Sequence, residues 1–207
     1  MFEIICVTNR LLCRGGFLEQ IARIAASGAD GIILREKDLP ESEYARLAAS
    51  VMRICSEHGV RCVPHSYDKA AARLRAGGLH MPLAGLRGMD DAARAAFKVL
   101  GASCHSVEDV LEAERLGCTY VTLGHIYETA CKPGLAPRGI ELLKSACASA
   151  QLPVYAIGGI GEGNIAETAA AGAAGACIMS GFMASGDPAE YVRRLRERVD
   201  ANEKLQR

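Results

Sequence analysis

Short β-rich apolar runs alternate with longer amphipathic runs along this 207-residue sequence, and that alternation limits the fold to very few choices. Eight strands are predicted: Glu3–Thr8, Gly31–Leu34, Arg61–Pro64, Gly78–Met81, Val99–Ser103, Tyr120–Leu123, Pro153–Ile157 and Gly175–Met179. Between them lie helical runs with apolar residues three and four apart. Phe17, Ile21, Ile24 and Ala25 form one such stripe, and Tyr44, Leu47, Val51 and Ile54 form another. A last amphipathic helix carries Tyr191, Val192, Leu195 and Val199. Gly28, Gly59, Gly77, Gly117 and Gly172 fall where helices end, two to four residues before a strand. Glycine there supplies the left-handed conformation that stops a helix and allows a short return loop. Eight such βα units in this length predict an α/β protein with one domain over residues 1–207, a closed (β/α)₈ TIM barrel. An open doubly wound sheet is the runner-up. It is disfavoured because Val7-Thr8-Asn9-Arg10, not a glycine-rich fingerprint, follows the first strand.

Composition narrows the partners. The chain has 24 basic and 24 acidic residues with no like-charge block, so no electrostatic footprint for nucleic acid or a membrane surface is present. Small molecules are the expected partners, and self-association into a homo-oligomer is left open. Nine cysteines are scattered without a Cys-x-x-Cys pair, which reads as reduced structural thiols rather than a zinc site or redox couple. The sequence shows no signal-like n-region and no apolar stretch of membrane-spanning length, so a cytoplasmic location is expected.

In a barrel of this kind the loops after the strands carry the chemistry. Ile157-Gly158-Gly159-Ile160-Gly161 follows the seventh strand and Met179-Ser180-Gly181 the eighth. Glycines let backbone N–H groups approach an anion there, so Gly158, Gly159, Ser180 and Gly181 are the expected phosphate cradle. Leu34-Arg35-Glu36-Lys37-Asp38 follows the second strand, where Arg35 and Lys37 could hold an anionic group. After the fifth strand, Ser106 reads as a helix N-cap, leaving Ser103 and His105 as site candidates. The long loop after the sixth strand begins with His125, a candidate proton-transfer residue, and also contains Lys132. His58 sits near a helix end. His65 and His80 follow strands three and four without a carboxylate pattern, so no metal site is read and no cofactor is expected.

These motifs, with Gly101-Ala102-Ser103-Cys104-His105-Ser106 and Ala156-Ile157-Gly158-Gly159-Ile160, resemble the thiamine phosphate synthase superfamily over nearly the whole chain. Within it, Gly124-His125-Ile126-Tyr127-Glu128-Thr129-Ala130-Cys131-Lys132 resembles the thiazole tautomerase branch; the synthase typically has proline at the position of His125. The synthase couples a pyrimidine pyrophosphate to a thiazole phosphate. The resemblance implies a Mg²⁺ held by aspartates after strands three and four, but Pro64-His65 and His80-Met81-Pro82-Leu83-Ala84-Gly85 stand there, and Ile33 replaces a usual glutamine. The expectation is therefore loss of synthase activity and a metal-free isomerase of thiamine biosynthesis, a thiazole tautomerase acting on a small phosphorylated thiazole carboxylate. His125 would carry the proton, with Lys37 as second carrier or carboxylate partner and Arg35 as a further cation. The alternatives are thiamine phosphate synthase itself and a non-catalytic thiazole-phosphate-binding regulatory relative.

Overall fold

A computed structural model describes the backbone of residues 1–205 and the side chains of residues 1–202. Its eight strands are β1 (Glu3–Val7), β2 (Gly31–Leu34), β3 (Arg61–Pro64), β4 (Gly78–Pro82), β5 (Val99–Cys104), β6 (Tyr120–Gly124), β7 (Val154–Ile157) and β8 (Gly175–Ile178). All eight are parallel, in the order β3-β2-β1-β8-β7-β6-β5-β4. The two ends of that order meet at a parallel bridge between His65 and His80, and the Ser66 N–H donates to the His80 carbonyl at 2.9 Å. The sheet is thus a nearly closed (β/α)₈ barrel whose seam lies between β3 and β4.

The helices are α1 (Phe17–Ala25), α2 (Glu41–Glu57), α3 (Asp68–Arg73), α4 (Leu83–Arg87), α5 (Asp91–Ala95), α6 (Val107–Arg115), α7 (Ile140–Ser149), α8 (Ile165–Ala170), α9 (Ser180–Met183) and α10 (Pro188–Leu205). Their apolar stripes pack on the outside of the strands: Ile21 and Ile24 of α1 and Tyr44, Val51 and Ile54 of α2 are buried with Ile4, Ile32 and Leu34. Among the described residues there are ten α-helices rather than eight, because the β4–β5 connection holds two short helices and a single turn, α9, precedes α10. Gly28, Gly59, Gly117 and Gly172 have positive φ, as their place after helices predicts. Gly77 does not. There the left-handed residue is Arg75, at φ 52°, immediately after the C-cap of α3, so the glycine reading was two residues late.

Inside the barrel, Ile5, Val7, Ile33, Val63, Tyr155 and Cys177 form a separate apolar layer. The two tyrosines of the lower layer fit because glycines face them: a Cβ on Gly101 would lie 2.2 Å from Tyr120, and one on Gly175 2.8 Å from Tyr155. The Tyr155 hydroxyl donates to Glu3 at 2.6 Å, and Arg61 pairs with the same carboxylate at 2.7 Å. Tyr120, Tyr155 and Arg61 line a smaller cavity of about 220 Å³ at the N-terminal end, and the larger opening lies at the strand C-termini.

Candidate functional site

The open end forms a cavity of about 720 Å³. Arg35, Lys37, Ser103, His105, His125, Lys132, Gly158, Gly159 and Ser180 all line it. Among the substrate-binding candidates, Gly181 is not a lining residue; a Cβ there would lie 2.2 Å from the Tyr191 hydroxyl, so the absent side chain makes room for α10. His58, at the C-cap of α2, is far from the mouth in the fold's logic and plays no part in the cavity.

The loop after β2 owes its shape to a buried carboxylate. Side chains alternate across an extended chain, so Arg35 and Lys37 share one side and Glu36 takes the other. Glu36 is 2 % exposed. It accepts from the Thr8 hydroxyl at 2.7 Å and from the Arg10 N–H at 3.0 and 3.1 Å, and the Arg10 guanidinium also reaches it. Thr8 in turn accepts from the Arg35 N–H at 2.9 Å. The result is a clasp between the ends of β1 and β2 that turns both cations toward the cavity. Thr8 and Arg10 escaped the sequence reading, since neither is unusual until Glu36 is seen to be buried. Among the described residues, the side chains of Arg35, Lys37 and Lys132 make no ion pair and no hydrogen bond. Partial desolvation, then Arg35, then Lys132, press the Lys37 ammonium below its ordinary pKa.

The floor between β3 and β4 is made of imidazoles. His65 and His80 are buried, with ring centroids 5.2 Å apart. His80 Nδ1 lies 2.9 Å from the Tyr120 hydroxyl and Nε2 2.9 Å from Ser103 Oγ; His65 Nδ1 lies 2.6 Å from Ser66 Oγ. Burial first, then His80 and the cations Lys37 and Arg35, pulls the His65 pKa down to about 2; burial and Lys37 pull His80 down to about 3. Both rings are neutral. The α2 hydroxyl of Tyr44 donates to the Leu34 carbonyl at 2.8 Å and accepts from the His65 N–H at 2.8 Å, fixing the seam. A Mg²⁺ ion does not fit this donor set. It wants carboxylate and water oxygens, and here both His80 nitrogens and His65 Nδ1 are engaged by hydroxyls. The carboxylates that do line the cavity, Asp109 and Glu128, come from other loops, and Asp109 accepts from the His105 N–H at 2.8 Å.

The opposite wall joins the loops after β6 and β7. The Ile126 N–H donates to the Ile157 carbonyl and the Tyr127 N–H to the Gly158 carbonyl, both at 3.0 Å. Gly158 and Gly159 have φ of 98° and 70°, and Cβ atoms there would lie 2.2 Å from His125 Cβ and 2.3 Å from the Glu128 carbonyl oxygen. Close approach of the two loops alone therefore requires glycine. The N–H groups of Gly158, Gly159 and Ile160 have no hydrogen-bond partner among the described residues, and neither do those of Ser180 and Gly181 in the first turn of α9. His105 Nδ1 donates to the Gly124 carbonyl at 2.7 Å. His125, 5 % exposed, has Nε2 3.3 Å from the Leu135 carbonyl, and its Nδ1 is buried with no partner.

A family model described as thiamine monophosphate synthase matches residues 4–182. The chain belongs to that family. The putative thiamine-phosphate synthase of Geobacter sulfurreducens is 33 % identical over 200 residues, covering 94 % of this chain and 92 % of the relative. The thiamine-phosphate synthase of Chlorobium luteolum is 34 % identical over 186 residues, covering 86 % and 85 %. The structure of thiamine phosphate pyrophosphorylase from Pyrococcus furiosus superposes with a TM-score of 0.84 at 25 % identity, covering 97 % of this chain and 96 % of that one. These relatives correct the expectation of a thiazole tautomerase and with it the isomerase assignment: the activity in their names is the synthase that the sequence reading ranked second. The geometry supplies a physical reason. His125 is packed against the loop after β7, so closely that a Cβ at Gly158 would strike it, and its Nε2 is occupied by the Leu135 carbonyl. Among the described residues, no helix is long and apolar enough to cross a membrane.

Proposed function

We propose that this family member is an enzyme of thiamine biosynthesis that couples a pyrimidine pyrophosphate to a thiazole phosphate. The observation that carries this reading is that two sets of groups suited to anions line one cavity. On one side, the unpaired N–H groups of Gly158, Gly159, Ile160 and Ser180 suit a phosphate monoester. On the other, Arg35, Lys37 and Lys132 suit the greater charge of a pyrophosphate. Two such sets, the second with three cations, match two phosphorylated substrates of which one is a pyrophosphate.

In the coupling, the carbon–oxygen bond to pyrophosphate breaks and a carbon–nitrogen bond to the thiazole forms. The thiazole nitrogen supplies the new bonding pair, and pyrophosphate leaves with the old one, so no oxidant, reductant or proton carrier is needed. What this chain's residues supply is position and charge: two substrates are held end to end, and three cations stabilise negative charge as it builds on the leaving group. Ser103, held by His80, lines the cavity and can donate to the leaving group, while His105 braces Gly124. Lys37 acts as a cation and His125 as part of the loop wall. Binding tests this reading directly. Titration with thiazole phosphate in the presence of saturating pyrophosphate should show both bound at once; mutual exclusion would place both anions in one region and remove the basis for a two-substrate reaction.

A further inference from the structure

The imidazoles at the ends of β3 and β4 have a consequence for how a pyrophosphate is neutralised. Its charge has to be met by something in the cavity, because uncompensated negative charge in a partly desolvated site is costly. The β3–β4 floor contributes only the neutral rings of His65 and His80; both His80 nitrogens and His65 Nδ1 are engaged by Tyr120, Ser103 and Ser66. Neither ring adds a carboxylate that a divalent cation could bridge. The cations are present in protein form instead: Arg35, Lys37 and Lys132 line the same cavity, and among the described residues none has a carboxylate partner. Glu36, which could have neutralised Arg35 or Lys37, is turned away and spent on Thr8 and Arg10. Three like charges without partners repel one another, so the free cavity is primed for a polyanion. Replacing carboxylates with imidazoles also removes the negative charge that would otherwise oppose a bare anion.

We infer that this site takes pyrophosphate as the metal-free anion, held by Arg35, Lys37 and Lys132, with no divalent cation bridging it to the protein. The inference rests on the coupling reading for the identity of the anion. It assigns the charge compensation to this chain's own side chains.

Calorimetric titration of the purified protein with inorganic pyrophosphate tests it, in chelator and again with excess Mg²⁺. Binding should be measurable in chelator, and Mg²⁺ should leave it unchanged within ~2-fold or weaken it by competing for the free anion. Arg35→Met and Lys37→Met should each weaken binding in chelator by ~10-fold, the size of one charge-assisted hydrogen bond. Circular dichroism would confirm that each variant is folded. Binding that appears only with Mg²⁺, or tightens ~10-fold on its addition, overturns the inference, as does the absence of binding in both conditions. The two readings fail separately. A protein that binds pyrophosphate in chelator yet makes no thiamine phosphate refutes the coupling alone, whereas one that couples only with Mg²⁺ refutes the metal-free site alone.

Discussion

The residues that define this pocket act less through their own reactivity than through what holds them. Glu36 is the clearest case, since its buried carboxylate determines where Arg35 and Lys37 point. Glu36→Ala strands the Thr8 hydroxyl and the Arg10 N–H and breaks the ion pair with a partly exposed guanidinium. The loss should be about 2–3 kcal/mol in urea unfolding, below that of a fully buried pair. His125 distinguishes the coupling from a proton-shifting reaction. Because the coupling moves no proton, His125→Asn should change kcat by less than ~10-fold, whereas a proton carrier would cost roughly 10²–10⁴. Rapid-quench turnover, with folding verified, reads the difference. The neutral histidines make a pH prediction. Both pKa values are depressed on folding, to about 2 for His65 and about 3 for His80, so between those values and the unfolded value near ~6.5 only the unfolded chain takes up these protons. Their contribution is fully present above that unfolded value and is lost as pH falls below it, by up to about 1.4 kcal/mol per pH unit for each ring. From pH ~7 to ~5, wild type should lose of order 1–2 kcal/mol more stability than His80→Gln. Equal losses would mean that His80 is not held neutral.

At the scale of elements, the loops after β6 and β7 behave as one wall. Gly159→Ala puts a Cβ at φ 70° against the Glu128 carbonyl oxygen, so the wall has to part. The cost should be at least ~1–2 kcal/mol, with faster proteolysis within residues 125–139 and poorer phosphate binding. Unchanged stability and proteolysis would mean that the two loops are not coupled. Elements were also what the sequence displayed best. Strand-length apolar runs and three-and-four spacings located all eight strands and the main helices, because burial on both faces of a strand and on one stripe of a helix leaves those periods in the sequence. Ser106 as an N-cap is likewise visible locally and observed, with the Asp109 N–H donating to its hydroxyl at 3.1 Å. Contacts distant in sequence left no such mark. The clasp of Glu36 with Thr8 joins residues 28 apart, and the His80–Tyr120 contact spans 40 positions. The glycines after β7 were read as an anion cradle before their other duty, making room for residues 125–128, was visible.

The whole molecule brings nearly every candidate drawn from the sequence to one cavity, and Gly181 is the candidate that supports it from behind. What the sequence misjudged was the weight of the missing aspartates. Their replacement by His65 and by the β4 loop argues against a magnesium site, but it leaves Arg35, Lys37, Lys132 and the glycine loops lining the cavity. The relatives at 33 % and 34 % identity carry the synthase name over most of the chain. The most direct measurement is the reaction itself: purified protein with the pyrimidine pyrophosphate and the thiazole phosphate, run in parallel with Mg²⁺ and with chelator. Thiamine phosphate and pyrophosphate should form in equal amounts, depending on both substrates and falling by ~10-fold or more in kcat/KM when Lys37 is changed to methionine. Folded protein that binds both substrates yet forms no thiamine phosphate in either condition would contradict the proposed function.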